Sequence, residues 1–112
     1  MDAHHRHTSG LRILAGEIAA GEWTTYGDLA AAAGLPSARI VAHAAAHDPA
    51  FPNPHRVLGA GGRIRRPTRS QADRCRRRLE GEGLHFAGAR ADPERRVRWI
   101  DLRGRAGDRW GC

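Results

Sequence analysis

Apolar residues recur at helical spacing along much of the chain, and polar residues and glycines mark where the helices begin and end. The first such stretch predicts a helix from a Ser9 cap to about Ala20, with Leu11, Leu14 and Ile18 on one face. We expect one side of this helix to pack against the rest of the domain.

A second stretch predicts two short helices around a Gly-Leu-Pro turn. Thr24 or Thr25 caps the first helix and Gly34 ends it, and Pro36 and Ser37 open the second. One side of the second helix is a narrow apolar stripe of Ile40, Val41, Ala44 and Ala45. The opposite side is polar and carries Arg39, His43 and His47. This is the outline of a helix-turn-helix that could lie close to a nucleic-acid groove. We expect Trp23 to pack between the first helix of the chain and the helix that follows it.

The remaining pattern predicts small elements. Prolines make residues 48–54 a stiff loop, and the glycines of residues 56–64 fit a small hairpin or a tight turn. A helix over about 71–81 is capped by Thr68 or Ser70, and alternating residues at 84–86 and 97–102 predict short strands. The prediction is one mainly α domain with small β elements over residues 9–102, between flexible ends at 1–8 and 103–112.

The charge of the chain points to polyanionic partners. Its formal net charge is +7, with a pI near 11.3, and all 19 basic residues are arginine. A basic surface attracts nucleic acid by releasing counterions. No apolar run long enough to span a membrane and no signal peptide is visible, so we expect a cytoplasmic, nucleoid-associated protein without a membrane partner.

Cysteine and histidine give no sign of a disulfide framework, a metal site or a cofactor. Cys75 lies in an arginine-rich helix and Cys112 is the last residue, and a disulfide between them is not expected in the cytoplasm. The histidines at positions 4, 5 and 7 fit a frayed terminus better than a metal site.

Separated motifs resemble a known family. In order they are Thr24-Thr-Tyr-Gly-Asp-Leu-Ala30, Ala38-Arg-Ile-Val-Ala42, Pro54-His-Arg-Val57, a glycine turn at Gly62 and Leu79-Glu-Gly-Glu-Gly-Leu-His-Phe86. Together they resemble the DNA-binding domain of O6-alkylguanine-DNA alkyltransferases, and most closely the short branch called alkyltransferase-like proteins. The resemblance covers about residues 9 to 102 and implies a winged-helix-like helix-turn-helix.

The resemblance implies how the domain meets DNA. Arg39 matches the family's intercalating arginine finger, a planar cation able to stack between bases and to hydrogen-bond the orphaned partner base. Tyr26 matches the tyrosine that contacts the phosphate at the flipped nucleotide. Thr25, Ser37 and Ala38 lie at the helix starts, where hydroxyls and backbone donors could meet phosphates. An ordinary phosphate contact is the alternative role for Arg39.

The resemblance also implies a lesion pocket, which departs from the family in one decisive place. The matched positions are Pro54, His55, Arg56, Val57, Gly62 and Glu82. Alkyltransferases carry their reactive cysteine directly before the His-Arg-Val motif, whereas Pro54 has no nucleophilic atom. Without a thiol to activate, His55 is expected to be a buried hydrogen-bonding residue. Glu82 is expected to be its partner or a helix-end cap, and Arg56 to tie the loop to the domain. Asn53 replaces the proline usual at its position.

Three functions follow. The leading prediction is a monomeric, non-enzymatic sensor that binds double-stranded DNA in the minor groove and flips an alkylated guanine. It would then flag the lesion to nucleotide excision repair. The second is an active alkyltransferase that uses a displaced nucleophile, Cys75, whose pKa the neighbouring arginines would lower. The third is a winged-helix reader of another modified base or of a regulatory site.

Overall fold

The structure, a computed structural model, describes the backbone of residues 3–109 and the side chains of residues 9–109. The helices there are α1 (Ala3–Gly16), α2 (Tyr26–Ala33), α3 (Ala38–His47), α4 (Arg69–Gly81) and α5 (Trp99–Ala106). The strands are β1 (Thr24–Thr25), β2 (Val57–Leu58), β3 (Phe86–Ala87) and β4 (Arg90–Ala91). Short 3-10 turns occupy Pro54–Arg56, Ala60–Gly62 and Pro93–Arg95. The predicted mainly helical fold with small β elements is therefore confirmed.

The helices α2 and α3 form the predicted helix-turn-helix. The Thr25 hydroxyl caps α2 by accepting the Asp28 N–H at 2.9 Å, and Gly34, with φ of +70°, ends it. The Ser37 hydroxyl caps α3 by accepting the Arg39 N–H at 3.1 Å. The chain bends by 105° between the two helices, inside the range of about 90–120° typical of this motif.

No single helix of the described residues is long and apolar enough to cross a membrane. The helices α2 and α3 meet that test only as a bent pair, by length and composition.

The larger core joins α1, α2 and α5. Leu14, Leu29 and Leu102 are fully buried there, one from each helix, and Val41 adds the contribution of α3. Val41 is the one fully buried residue of α3, and Ile40, which was predicted to share its apolar stripe, is 36% exposed. The core therefore holds α3 by one edge and leaves the rest of the helix facing outward.

A second, smaller core lies under α4. Leu79 and Cys75 of α4 pack there with Leu58, Leu84 and Ala91 and with the indole ring of Trp23. The prediction that Trp23 packs between α1 and α2 is wrong. Its backbone pairs with residues 95–97 and its indole N–H donates to the Asp92 carbonyl at 2.7 Å, so the ring is held on the α4 side. The Thr68 hydroxyl caps α4, as one of the two predicted caps.

The short strands close the chain on itself. Strand β1 pairs in parallel with β2, with Thr24 opposite Val57 and Thr25 opposite Leu58. Thr24 is thus a buried strand residue, and its hydroxyl donates to the Val97 carbonyl at 2.6 Å. After β2 the chain makes the tight glycine turn rather than the hairpin, because Val57 and Leu58 take β1 as their partner. Strand β3 pairs with β4 in an antiparallel arrangement.

Helix α1 differs from its predicted bounds. It begins at Ala3, ahead of Ser9, and ends at Gly16 rather than near Ala20, although Ile18 is buried as expected. The carbonyls at its end are taken by the loop before β2, since the Asn53 amide donates to the Ala15 carbonyl at 3.1 Å and Arg56 donates to the Ile18 carbonyl at 2.8 Å. These side-chain contacts replace a further helical turn. Residues 1–2 and the side chains of residues 3–8, including the three histidines, lie outside the described residues.

Residues 99–102 of the segment predicted as a strand at 97–102 are instead the start of α5, whereas the Val97 N–H pairs with the Trp23 carbonyl. The Asp101 carboxylate accepts the Arg98 N–H at 3.2 Å, and Leu102 and Ala106 are buried at helical spacing. Residues 103–106 therefore continue a packed helix and do not begin a flexible tail. Residues 110–112, with Cys112, lie outside the described residues.

Candidate nucleic-acid interface

An open groove lies between the starts of α2 and α3 and the glycine turn. It encloses about 580 Å³. Its lining contains four of the predicted DNA-binding residues, namely Thr25, Tyr26, Ala38 and Arg39. The fifth, Ser37, lies next to Ala38 as the α3 cap. The fold therefore gathers the residues that the sequence placed on two separate helices.

Arg39 stands exposed on the first turn of α3. Its side chain has no hydrogen bond or ion pair among the described residues, and the small side chains of Ala38 and Ala42 share the groove lining with it. Small neighbours let the backbone of α3 approach another surface closely. An exposed arginine without a partner on such a helix is free to enter a groove of a nucleic acid.

Tyr26, the first residue of α2, is half-buried and connects to a residue that sequence reasoning missed. The Arg66 guanidinium donates to the Tyr26 hydroxyl at 3.2 Å, to the Pro54 carbonyl at 3.0 Å and to the Arg65 carbonyl at 2.7 Å. Arg66 thus links the groove to the loop that carries Pro54. In the sequence it is one of two consecutive arginines, and nothing there indicates its direction.

A buried carboxylate fixes the start of α2. Asp28 accepts two hydrogen bonds from Arg96, at 3.0 and 2.8 Å, and a third from the Thr25 hydroxyl at 3.1 Å. The Thr25 hydroxyl donates its proton to Asp28 and accepts the Asp28 N–H, so in this arrangement it has no proton left for a phosphate, and its contact with DNA stays a prediction. Thr25 positions Tyr26, and Arg96, which was not predicted, lines the groove itself.

A second cavity, of about 410 Å³, lies beside Pro54. Its walls come from the end of α3, the Pro54 turn, the segment before α4 and one face of α4, through Ala45, Ala46, Pro54, His55, Arg65, Arg66, Pro67, Arg74, Cys75 and Arg78. Arg65 lines both this cavity and the groove. We call this space the Pro54 cavity.

Only part of the predicted pocket lines the Pro54 cavity. Pro54 and His55 do, whereas Val57 is a fully buried residue of β2. Gly62 has a structural role: its φ is +80°, and a Cβ there would come within 2.9 Å of the Ala91 nitrogen. Arg56 and Glu82 lie behind the cavity and support its wall.

That support is a compact network around Glu82, the C-cap of α4. Its carboxylate lies 3.0 Å from His55 Nε2 and accepts two hydrogen bonds from Arg56, at 3.0 and 2.9 Å. The Arg56 guanidinium, and secondarily His55, lower the pKa of Glu82 to about 2. Glu82 is therefore both the partner of His55 and the helix-end cap, and Arg56, through the Ile18 carbonyl, ties the loop to α1.

His55 is in its neutral form near pH 7. Burial lowers its pKa, against the opposing effect of Glu82, and the charges of Arg78 and Arg56 lower it further. Since the ionised Glu82 can only accept, Nε2 carries the proton and Nδ1 presents a lone pair. Nδ1 is buried and has no hydrogen-bond partner in the described part of the chain.

Asn53 sets the entry to the Pro54 turn. It has φ of +53° and ψ of +41°, in the left-handed region that asparagine tolerates and proline cannot enter. Its side-chain oxygen accepts from Arg56 at 3.0 Å. A proline in this position would require a different loop.

Cys75 lines the Pro54 cavity but lacks the properties of a nucleophile. The thiol is buried and donates to the His55 carbonyl at 3.5 Å. Burial raises its pKa, and this effect outweighs the positive charges of Arg66 and Arg78. The arginines act in the predicted direction, but the pKa of the thiol is raised overall and not lowered. Among the described residues no group of three or more His, Cys, Asp or Glu side chains could hold a metal ion.

Comparison with known proteins gives a family match and a structural match. The family model described as 6-O-methylguanine DNA methyltransferase, DNA binding domain, matches residues 11–84. The structure is also similar to the crystal structure of S. pombe Atl1 in complex with damaged DNA containing O6-carboxymethylguanine, with a TM-score of 0.66 and 28% sequence identity. The match covers 88% of this chain and 99% of that chain. No curated protein sequence gives a significant match.

Proposed function

Since this chain belongs to the family of the 6-O-methylguanine DNA methyltransferase DNA-binding domain, we propose that it is a non-enzymatic sensor of O6-alkylguanine in duplex DNA. The observation that carries the proposal is the continuity of the site. Arg39 and Tyr26 line one open groove, and Arg65 and Arg66 connect that groove to the Pro54 cavity. The crystal structure of S. pombe Atl1 with damaged DNA supports the same use of the fold.

Arg39 and Tyr26 act at the duplex. With α3 in the minor groove, the Arg39 guanidinium fills the space that a flipped nucleotide leaves and hydrogen-bonds the orphaned base. Tyr26 meets the phosphate of the rotated nucleotide. Unstacking a base costs a few kcal/mol, and the cost is lower for a damaged pair. The flipped base enters the Pro54 cavity.

The sensor holds the base and does not repair it. Pro54 offers no nucleophilic atom, so His55 and Glu82, which lie beside it, have no thiol to activate. The thiol of Cys75 is buried and its pKa is raised, so it is not a substitute. In this proposal the protein acts as a monomer in the cytoplasm, at the nucleoid, and the bound complex marks the lesion for nucleotide excision repair.

Gel-shift titration of matched duplexes with and without O6-methylguanine tests lesion sensing. We expect tighter binding to the lesion and a loss of that preference in Arg39→Ala, at a cost of about 1–3 kcal/mol. Arg77→Ala is the matched control, because Arg77 is exposed on α4 and lines neither the groove nor the Pro54 cavity.

Equal affinity of the wild-type protein for both duplexes would contradict lesion sensing and leave a reader of another modified base or regulatory site. If Arg39→Ala weakens binding but keeps the preference, Arg39 is a phosphate contact and the finger role is wrong.

Intact-mass measurement after incubation with O6-methylguanine DNA separates the sensor from a suicide enzyme. We expect no mass increment, because the groove and cavity present no ionised thiol. A covalent increment of one methyl group on the protein, lost in Cys75→Ser, would establish alkyl transfer through the displaced cysteine.

A further inference from the structure

The Pro54 cavity has an unusual charge. Four arginines line it, Arg65, Arg66, Arg74 and Arg78, and none of the described residues in its lining is acidic. A neutral alkylated base itself offers these guanidinium groups no ion-pair partner. The identity of the group that neutralises these charges is therefore a question that the lesion-sensing role leaves open.

The protein itself does not neutralise these guanidinium groups. The side chains of Arg65, Arg74 and Arg78 make no hydrogen bond or ion pair with any residue between 9 and 109. Arg66 donates only to uncharged oxygens, those of the Tyr26 hydroxyl and two backbone carbonyls. Their positive charge is thus available to a ligand.

The nearby carboxylate is already committed. Glu82 lies behind the cavity wall, where Arg56 holds it with two hydrogen bonds and His55 contacts its second oxygen. At the Cys75 thiol in the cavity wall, the positive charges of Arg66 and Arg78 act against the negative charge of Glu82. An anion entering the cavity would meet attraction from several sides.

The geometry of α4 aims this charge at the cavity. Arg74 and Arg78 are four residues apart and share one face of the helix, next to the buried stripe of Cys75 and Leu79. Arg77, three residues after Arg74, does not line the cavity. The arrangement therefore separates two arginines that face the cavity from one that does not, on the same helix.

We propose that the Pro54 cavity selects O6-alkylguanines whose substituent carries a negative charge, the O6-carboxyalkyl class, over neutral substituents of the same size. The inference rests on the proposed lesion-sensing function and names the class of lesion that it favours. Arg74 and Arg78 receive the carboxylate of the substituent, since guanidinium groups bind carboxylates through paired, charge-assisted hydrogen bonds.

Matched duplexes test the inference. The first duplex carries O6-carboxymethylguanine, the second carries its neutral amide O6-carbamoylmethylguanine, and the third carries unmodified guanine. Their affinities are measured by fluorescence anisotropy at one salt concentration. We expect the wild-type protein to bind the acid about tenfold more tightly than the amide, which corresponds to about 1.4 kcal/mol. Arg74→Gln/Arg78→Gln should bring that ratio to about one while the preference for the amide over guanine persists.

Arg77→Gln is the control and should weaken binding to all three duplexes alike, because it removes one charge without touching the cavity. Arg78→Gln alone, a change at an exposed position, is included in case the double variant folds poorly. Thermal unfolding measures the stability of all three variants. The single variant should give an intermediate ratio.

The outcomes separate the inference from the proposed function. Equal binding of acid and amide, both above guanine, overturns the charge selection and leaves lesion sensing intact. Equal binding of all three duplexes overturns both. A ratio that falls as far in Arg77→Gln as in the double variant also overturns the inference, because the net charge and not the cavity would then discriminate. If the acid-to-amide affinity ratio is unchanged in the double variant, Arg74 and Arg78 do not produce the discrimination, and the inference is again overturned.

Discussion

At the scale of single residues, the proposed function depends most on Pro54. It lies in the one position where the family resemblance implies a reactive cysteine, directly before His55, whose ring contacts Glu82 at 3.0 Å. In an alkyltransferase such a pair would serve acid-base chemistry. Here Arg56 also binds Glu82, and the network fastens the Pro54 turn to α1 and α4. Residues of a catalytic pattern thus hold a binding cavity in shape.

Removing the charge of Glu82 should test that structural role. Glu82→Gln should lower the free energy of unfolding near pH 7 by about 1–3 kcal/mol, because Arg56 loses its charged acceptor. The folded pKa is lowered from 4.5 to about 2, so the stabilisation is fully present above about pH 4.5 and is lost as the pH falls toward 2. The difference between wild type and variant should therefore shrink over that window in urea unfolding.

Glu80→Gln is the matched control, since it removes the same charge from the same helix. Its side chain is 47% exposed and pairs with Arg76 only on the surface, against 18% for Glu82. Surface pairs of this kind contribute little, so we expect almost no change at any pH. A Glu82→Gln effect that stays constant between pH 4.5 and 2 would contradict the lowered pKa as the source of stability.

Single residues also show how much of the site could be predicted from the sequence. The family resemblance placed Tyr26, Arg39, Pro54 and His55 in the site, and the fold brings them to the groove and the cavity. Arg66 escaped prediction because its role depends on an oxygen 40 residues away along the chain. Consecutive arginines look alike in a sequence, and only the tertiary fold gives each of them a direction.

At the scale of elements, local chemistry made some parts predictable. The α2–α3 motif carries its own signals: a hydroxyl cap at each start and Gly34 at the first end. In contrast, α5 was predicted as a strand because Val97 to Leu102 alternates over a short stretch that also fits a helix. Burial of Leu102 and Ala106 against α1 and α2, which is tertiary, decides between the two. The winged-helix character of the domain stays a prediction.

Two glycines give a matched test of these elements. Gly34 has φ of +70° at the end of α2 and Gly104 lies within α5, and neither has an atom that an added Cβ would meet within 4 Å. Only backbone conformation therefore distinguishes the two sites. Gly34→Ala should cost about 1 kcal/mol, whereas Gly104→Ala should add about 0.5–1 kcal/mol of helix stability. Thermal unfolding measures both.

The same pair tests whether the turn matters for binding. Gly34→Ala should also weaken DNA binding, because it strains the junction that orients α3 relative to Tyr26, and Gly104→Ala should leave it unchanged. If both alanine variants change stability in the same direction, the left-handed conformation at Gly34 is not what ends α2.

At the scale of the whole molecule, the site lies between two cores. The larger core holds α2 and presents α3 by one edge, while the smaller one holds α4, and the Pro54 turn connects them. The groove lies between α2, α3 and the glycine turn, whereas the Pro54 cavity lies between the end of α3, the Pro54 turn and α4. The family resemblance implied a pocket at Pro54, but the full lining of the groove and of the cavity could not be predicted, because each is formed by segments that are far apart along the chain. The net charge of +7 was visible, and it indicated a polyanionic partner without indicating where the charge gathers.

The proposed separation between phosphate contacts on the basic surface and lesion recognition in the Pro54 cavity predicts how binding depends on salt concentration. The logarithm of the affinity for an unmodified duplex should fall linearly with the logarithm of the salt concentration, with a slope of about 0.9 per phosphate neutralised. The preference for O6-methylguanine over guanine should change little between about 50 and 200 mM salt, because both duplexes offer the same phosphates. In the proposed function the neutral methyl group lies inside the Pro54 cavity, and its recognition releases no counterions. Anisotropy titrations at several salt concentrations measure the slope and the ratio together. A ratio that declines in parallel with affinity would mean that phosphate contacts, and not a flipped base in the cavity, produce the discrimination.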